Sequence, residues 1–215
     1  MSNSLTPYLD KVTLGDSLLM LGQLPSASVD FVLTDPPYLI NYRDRHGRRI
    51  HNDANDTWVY PAFNELFRVL KPDSYCVSFY GWSKAEKFLC AWKDAGFYPV
   101  AHLVWVKRYA SYVRHAQGRH EQAYVLAKGN PKLPGTPPPD VLPWEYTGNK
   151  LHPTQKPVKS LTPLIEAYCP AGGVVLDPFA GSGTTGVAAR EVGRRYVLLE
   201  KDADYHKKAA ARLAA

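Results

Sequence analysis

The sequence predicts an α/β fold, a doubly wound, mostly parallel sheet with helices on both faces. Along most of the 215 residues, short apolar and β-branched runs alternate with amphipathic segments, as in strands joined by crossover helices. The apolar runs are nearly continuous, which is typical of parallel strands covered on both faces. Two of these runs end in motifs rich in proline or glycine, after Thr34 and after Leu176. Loops that follow strands in this way carry the ligand sites of open α/β sheets.

The individual elements follow from periodicity and from residues that end helices or strands. The first clear strand is Val29–Thr34, which a proline pair ends. Further strands are predicted over 74–80, 98–106, 122–127, 174–176 and 196–199. Helices are predicted over 58–70, 84–95, 158–168, 184–192 and 203–213, with Gly96 closing the second and Pro157 at the first position of the third. Residues 129–144 contain too many prolines for a helix or a central strand, so we expect an extended surface excursion there.

The chain contains no internal repeat, so we expect one domain over 1–215. With 45% hydrophobic and 21% charged residues, its composition is that of a globular protein. No run reaches the ~18 apolar residues of a membrane span, and the N-terminus lacks the pattern of a signal peptide. We therefore expect a cytoplasmic protein without a membrane partner. The three cysteines are far apart, which predicts free, mostly buried thiols in a reducing compartment, and the seven histidines lack zinc-ligand spacing, so no metal is expected.

The net charge of +6 suits a polyanionic partner, and its distribution is more informative. Basic residues concentrate over 41–51 and 107–120, where they alternate with tyrosine and histidine. Such stretches can neutralise phosphates and stack on bases. Two ordinary solvated loops are the alternative interpretation.

A glycine-rich loop follows the strand that ends at Asp177. Gly181 and Gly183 would let the backbone approach a ligand closely. The next strand ends at Glu200, about twenty residues later, where a carboxylate can accept hydrogen bonds from ribose hydroxyls. A P-loop is excluded because no lysine follows Gly183. Gly181, Gly183 and Gly186 match the bare spacing of the dinucleotide fingerprint, so an NAD-type site and a plain turn both stay open at this point.

A second motif, Asp35-Pro36-Pro37-Tyr38, follows the strand Val29–Thr34. Because neither proline has a backbone donor, the turn presents only acceptors, namely carbonyl oxygens and a carboxylate. Two acceptors, here the Asp35 carboxylate and the Pro36 carbonyl, could hold both hydrogens of a base amino group and aim its nitrogen at an electrophilic methyl. Tyr38 could stack on a base that has left the duplex. A rigid turn with a capping aspartate is the alternative.

Together these motifs resemble the beta-class DNA amino-methyltransferases, which use S-adenosylmethionine (SAM). In that family a D-P-P-Y motif precedes a D-P-F-x-G-S-G-T loop, and residues 35–38 and 177–184 match them in that order. Residues 15–18 and 152–157 match two further segments, so the resemblance covers nearly the whole chain. The chain is most similar to the short, single-domain adenine methylases of phages and prophages. Such a resemblance implies a class I methyltransferase fold, a flipped target base and often a homodimer.

The resemblance also implies roles for individual residues. The motif 35–38 would be catalytic, with Asp35 orienting the amine and Tyr38 stacking the base. Phe179 would lie against the cofactor's adenine or its neighbour, and a residue of 152–156 would pair with the cofactor carboxylate. The residues expected to bind the cofactor are Asp16, Ser17, Leu18, Asp35, His152, Thr154, Lys156, Asp177, Phe179, Gly181, Ser182, Gly183, Thr184, Thr185, Glu200 and Lys201.

DNA contacts are expected in two places. Residues 39–56 fall where family members have a mobile loop that closes on DNA, and we expect that loop to be disordered without DNA. Many family members also have a sizeable target-recognition region, for which only residues 108–150 remain here. So small a region can contact few base edges, which predicts a short or loose recognition sequence. The residues expected to contact DNA are Arg43, Arg45, Arg48, Arg49, Arg114, His115, Gln117 and Arg119.

The target base and the activity itself have alternatives. Family members that modify cytosine often begin the motif with serine, so Asp35 favours the N6 atom of adenine over the N4 atom of cytosine. Methylases of RNA or of protein amides usually have asparagine there. A methylase fold that binds nucleic acid without catalysis is the remaining rival, which the intact motifs disfavour.

Overall fold

The computed structural model describes residues 4–43, 47 and 53–215. Within them, eight strands form one sheet, in the order β1-β8-β7-β2-β3-β5-β4-β6. The strands are β1 (Lys11–Leu14), β2 (Val29–Thr34), β3 (Leu70–Phe79), β4 (Tyr98–Val106), β5 (His120–Lys128), β6 (Val141–Pro143), β7 (Val174–Asp177) and β8 (Arg195–Glu200).

Six helices join these strands, and two short 3-10 turns lie at Thr6–Tyr8 and Trp82–Lys84. The helices of the described chain are α1 (Ser17–Leu21), α2 (Val59–Val69), α3 (Ala85–Ala95), α4 (Val158–Tyr168), α5 (Thr184–Glu191) and α6 (Ala203–Ala214). None of them is both long and apolar enough to cross a membrane in the part of the chain that is described.

The sheet is mostly parallel, and β5 is the exception. It runs antiparallel to both of its neighbours, β3 and β4, whereas the other neighbouring strands pair in parallel. Buried side chains form one core on each face of the sheet. Val32 belongs to the core under α1, α2 and α3, and Phe31 and Leu33 belong to the core under α4 and α5. The predicted doubly wound α/β sheet is confirmed.

The strand order reverses between the parallel strands β2 and β7, which lie side by side at the centre of the sheet. From β2 the chain passes through α2 to β3 on one side, and from β7 it passes through α5 to β8 on the other. Such a switch point leaves a crevice at the carboxyl ends of the two strands. Asp35 directly follows β2, and Asp177 is the last residue of β7. The two motifs therefore meet at the place where open α/β sheets bind ligands.

Most predicted elements match the structure to within a few residues, but three short ones were missed. Strand β1 and helix α1 have four and five residues, which is too short for a clear periodic pattern. The excursion predicted over 129–144 contains β6, which pairs with the edge of β4 and buries Leu142. Pro157 is the N-cap of α4 and not its first residue. All three cysteines are free; Cys76 and Cys169 are buried and Cys90 is exposed.

Candidate active site

The loop between β7 and α5 is held by the buried carboxylate of Asp177. Its Oδ1 atom accepts from the Phe179 amide at 3.1 Å, and its Oδ2 atom accepts from the Thr185 hydroxyl at 2.6 Å. Burial raises the pKa of Asp177 to about 7, and the neighbouring carboxylates of Asp35 and Glu200 add to this rise. Gly181 and Gly183 have φ angles of +51° and +76°, which L side chains rarely adopt. The backbone of this loop therefore requires glycine at both positions.

Glu200 connects the end of β8 to the same loop. Its two oxygens accept from the amides of Gly181 and Asp202, each at 2.7 Å. Burial raises the pKa of Glu200, and these two amides oppose the rise. Each carboxylate oxygen has a second lone pair. Glu200 can therefore support the loop and still accept a ligand hydroxyl.

The N-terminus of α1 lies against the glycine loop. The Ser17 hydroxyl donates to the Pro178 carbonyl at 2.5 Å. Asp16 caps the helix by accepting from the Leu18 amide at 3.0 Å, and it pairs with the Lys201 ammonium at 3.0 Å. Helix α1 therefore holds one wall of the cleft in place.

Asp35 has two protein partners at the end of β2. Its Oδ1 atom accepts from the Tyr38 hydroxyl at 2.8 Å, and its Oδ2 atom accepts from the Lys156 ammonium at 2.5 Å. The Lys156 side chain is 6% exposed and that of Asp35 is 23% exposed. The ammonium also lies 5.5 Å from the Tyr38 ring centre and 5.0 Å from that of Phe79. A buried cation therefore sits directly behind the carboxylate of the D-P-P-Y motif.

The electrostatics of this pair have opposing contributions. Burial raises the pKa of Asp35, whereas the charge and hydrogen bond of Lys156 lower it. The pKa of Tyr38 is raised well above its usual value by burial and by the charges of Asp35 and Glu121. Tyr38 therefore stays a neutral phenol that donates to Asp35.

The segment containing Lys156 crosses over the glycine loop from the other side. The His152 ring lies 4.3 Å from that of Tyr205 on α6, and its Cδ2 atom is 3.4 Å from the place where a side chain on Gly181 would begin. The Thr154 amide donates to His152 Nδ1 at 3.3 Å. This segment thus closes one side of the cleft.

A buried acid holds the other rim, next to Tyr38. Asp53 is 2% exposed and accepts from the amides of Leu39 and Tyr42 at 2.7 and 2.5 Å. Leu39 and Asn41 have positive φ angles of 61° and 51°, which cost energy in residues other than glycine. Asp53 therefore holds the start of the 39–56 loop in a strained turn.

Most residues predicted to bind the cofactor lie together around one cleft, and three do not line it. Asp16 and Leu18 flank Ser17 at the start of α1 without lining the cleft, and Gly183 caps α5 and packs against Ala209. The predicted residues that line the cleft are Ser17, Asp35, His152, Thr154, Lys156, Asp177, Phe179, Gly181, Ser182, Thr184, Thr185, Glu200 and Lys201, together with Pro36, Pro37 and Tyr38.

Several lining residues were not predicted, among them Thr34, Asp53, Gln155, Asp202 and Tyr205. Gln155 lies inside a recognised motif, and Thr34 directly precedes Asp35, so their positions could have indicated them. Asp53 and Tyr205 carry no local signal, because only the packing of distant segments brings them to the cleft.

The cleft suits a cationic ligand with hydroxyl groups. Five carboxylates line it, from Asp35, Asp53, Asp177, Glu200 and Asp202. Thr34 also lines it, and its buried hydroxyl has no hydrogen-bond partner among the described residues. An unsatisfied buried hydroxyl is rare, and a bound ligand is one way to satisfy it. Within 4–43, 47 and 53–215, no group of three or more His, Cys, Asp or Glu side chains is arranged to hold a metal ion.

The residues predicted to contact DNA that the structure describes lie outside the cleft. Arg114, His115, Gln117 and Arg119 are exposed on a hairpin that extends β4 and β5, where Val113 pairs with Gln117. Arg43 is exposed at the start of the 39–56 loop. Arg45, Arg48 and Arg49 lie outside the described residues, as do the other residues of 44–46 and 48–52 in the loop expected to be mobile.

Two solved structures have the same fold as this chain. The M1.HpyAVI–SAM complex matches with a TM-score of 0.77 at 21% identity, over 95% of this chain and 99% of that one. PvuII DNA methyltransferase, which is cytosine-N4-specific, matches with a TM-score of 0.78 at 21% identity, over 94% and 85%. The fold is thus that of a class I methyltransferase, a class whose methyl donor is SAM.

The sequence comparisons define the family within that class. A family model for DNA methylases of the N6 and N4 type matches residues 29–147 and 135–211. The protein belongs to this family of DNA methylases, as the motifs predicted.

Two relatives from Escherichia coli strain K12 match over nearly the whole chain. YubD, which is named as a candidate methylase, is 54% identical over 201 residues, covering 94% of this chain and 88% of that protein. YhdJ, which is named as a DNA adenine methyltransferase, is 30% identical over 240 residues, covering 93% and 81%.

Proposed function

We propose that this protein transfers the methyl group of SAM to the N6 atom of adenine in DNA. The reaction forms one N–C bond, breaks the S–C bond of the sulfonium, and releases one proton and S-adenosylhomocysteine. SAM supplies an activated methyl group, so no metal and no covalent enzyme intermediate are needed.

The observation that carries the proposal is the carboxylate of Asp35 at the switch point, beside the glycine loop. An adenine amine is a weak nucleophile because its lone pair is delocalised into the ring. Asp35 already accepts from Tyr38 and Lys156, but each oxygen can accept a second hydrogen bond. An amine hydrogen held there would orient the nitrogen towards the methyl group. Burial raises the pKa of Asp35, and the buried Lys156 opposes that rise, which favours the ionised, accepting form.

The other lining residues supply a consistent site for the cofactor. Glu200 would accept from the ribose hydroxyls, and Phe179 would contact the adenine ring. The sulfonium would lie near Asp177 and Asp35. Because Lys156 is engaged with Asp35, we assign the pairing with the cofactor carboxylate to Thr154 or His152.

The target base would have to leave the duplex to reach this cleft. Asp35 is 23% exposed and lies at the end of a central strand. An amine that is still inside a base pair cannot reach this carboxylate. Tyr38 lines the cleft beside Asp35 and offers a ring for stacking.

Adenine is favoured over cytosine by two observations. The motif begins with Asp35 and not with serine, and YhdJ, at 30% identity, is named as an adenine methyltransferase. PvuII methyltransferase acts on cytosine N4, but its 21% identity supports the fold alone. Methylation of cytosine N4 is therefore the second candidate, because the same acceptors would orient either amine.

One experiment tests the proposal directly. The protein is incubated with unmethylated plasmid DNA and SAM, the DNA is digested to nucleosides, and the products are separated by mass spectrometry. We expect N6-methyladenine, whereas N4-methylcytosine would support the second candidate. Neither product, together with no SAM affinity by calorimetry, would indicate a nucleic-acid-binding protein with an inactive methylase fold.

A further inference from the structure

An exposed tryptophan lies next to the candidate active site. Trp82 follows Gly81 at the end of β3 and is 64% exposed, the most exposed of the five tryptophans. Gly81 backs the Tyr38 side chain so closely that an added Cβ would lie 2.9 Å from Tyr38 Cβ. Trp82 therefore stands beside the residue proposed to stack on the target base.

The indole is held by the hairpin that extends β4 and β5. Its Nε1 atom donates to the Tyr112 hydroxyl at 3.0 Å, and Tyr112 is itself 43% exposed. The Tyr112 ring covers Gly118, where an added Cβ would lie 2.3 Å from a ring carbon. Gly118 and Tyr112 are also joined by a backbone hydrogen bond of 2.9 Å. These contacts fix two exposed aromatic rings, which we call the Trp82–Tyr112 pair.

The root of the hairpin is anchored beside Tyr38. Lys107 is 5% exposed, pairs with Glu121, and donates to the Ser111 hydroxyl at 2.9 Å. Glu121 is close enough to Tyr38 for its charge to raise the pKa of that hydroxyl. The base of the hairpin thus lies beside the candidate active site, and Tyr112, further along the same hairpin, holds Trp82.

The charge around the pair fits a nucleic acid. Residues 107–120 contain no aspartate or glutamate and four lysines or arginines. Arg108, Arg114 and Arg119 are exposed, and within the described part of the chain none of their side chains forms an ion pair. Such a surface suits a nucleic acid, because unpaired cations attract phosphates and fixed aromatic rings stack on bases.

We propose that the Trp82–Tyr112 pair stacks a DNA base other than the target, next to the one that enters the cleft. This inference rests on the proposed function, since it places a second base beside the flipped adenine. A rigid ring at this position would fill the gap that the flipped base leaves in the duplex, or stack on the base next to that gap. Its role is to bind DNA, separately from the cofactor and from the reacting atoms.

Steady-state kinetics with plasmid DNA test the role of the ring. We expect Trp82→Ala and Trp82→Leu to raise the KM for DNA about tenfold, since stacking on an aromatic ring is typically worth that much or more per base. Trp82→Phe keeps a ring and should stay within about twofold of the wild type. The SAM affinity should not change in any of them. Leu133→Ala, which alters an exposed apolar residue on the proline-rich segment, is the matched control.

The kinetic result has clear contrary outcomes. Equal KM values for Trp82→Leu and Trp82→Phe would show that apolar area is sufficient, which would overturn a stacking role. A KM for Trp82→Ala equal to that of the wild type, with adenine methylation intact, would overturn the inference and leave the proposed function standing.

Fluorescence tests the same inference without turnover. The difference between the wild type and Trp82→Phe isolates the emission of Trp82, and acrylamide reports its exposure. We expect DNA fragments to shield Trp82 from acrylamide, and heparin, a polyanion without bases, to leave it exposed. Equal shielding by heparin, or DNA binding without shielding, would contradict the inference. Shielding by DNA in a protein that yields no N6-methyladenine would instead contradict the proposed function alone.

Discussion

The Nζ atom of Lys156 lies 2.5 Å from the Oδ2 atom of Asp35, although 121 residues separate them in the chain. Burial and Lys156 act on this carboxylate in opposite directions. Because the ionised form of Asp35 is the stronger acceptor for the Tyr38 hydroxyl and for an amine, the lysine favours the form on which the proposed reaction depends.

Removing that lysine should therefore change the pH dependence of the reaction. In Lys156→Met, only the hydrogen bond from Tyr38 still opposes the effect of burial, so the pKa of Asp35 rises further. The acidic limb of kcat/KM should move to higher pH, so that activity is lost more strongly at pH 6 than at pH 8.5. Lys156→Arg keeps the charge and should restore most of the wild-type profile. Parallel pH profiles for the wild type and Lys156→Met would contradict this role.

Asp35 itself should be needed for transfer and not for binding. Asp35→Ala removes the acceptor, and we expect turnover to fall by at least ~10²–10³-fold, the usual effect of losing a key electrostatic contact in an active site. DNA binding, measured by fluorescence anisotropy, should be largely intact. Substantial residual methylation would rule out the role assigned to Asp35.

Asp177 should make both stability and cofactor affinity depend on pH. Its pKa is about 7 in the folded chain against about 3.9 when unfolded. The folded state therefore binds the proton more tightly, and stability present below pH 4 is lost as the pH rises to about 7. The unfolding temperature should fall by several degrees between pH 5 and pH 8, and Asp177→Asn should flatten this dependence.

The same ionisation should favour a cationic cofactor. SAM affinity, measured by calorimetry, should rise from pH 6 to pH 8 in the wild type and less so in Asp177→Asn. Affinity for S-adenosylhomocysteine, which lacks the sulfonium charge, should vary less. An equal pH dependence for the two ligands would argue against a sulfonium near Asp177.

The unpartnered hydroxyl of Thr34 gives opposite expectations for stability and binding. Thr34→Val removes a buried polar group without a partner, which should raise the free energy of unfolding by about 1 kcal/mol. If a ligand satisfies this hydroxyl, the same change should weaken SAM binding about fivefold. Thr34→Ser keeps the hydroxyl and should keep the affinity. Unchanged binding by Thr34→Val would remove Thr34 from the cofactor site.

Asp53 should matter for DNA and for stability. It accepts two amides that hold a strained turn next to Tyr38, so Asp53→Ala should lower the free energy of unfolding by about 3 kcal/mol. We expect the KM for DNA to rise and the affinity for SAM to change little. Denaturant unfolding and steady-state kinetics measure the two effects, and a loss of SAM affinity equal to the loss of DNA affinity would contradict a local role at the rim.

The sequence alone determined the features that are local in the chain. The alternation of strands and helices, the proline pair after Thr34 and the glycine loop after Asp177 each depend on a few neighbouring residues, and together they predicted the fold class, the family and most of the cleft. The same local patterns failed for β1, α1 and β6, because three to five residues are too few to establish a period.

The tertiary structure decided which distant groups meet. It placed Lys156 behind Asp35, Asp53 under the turn at Leu39, and Tyr112 against Trp82. None of these contacts has a sequence pattern, since each joins segments that come together only when the sheet and its hairpin form. The motifs thus identified the chemistry, and the folded chain determined the charge, the burial and the neighbours with which that chemistry operates.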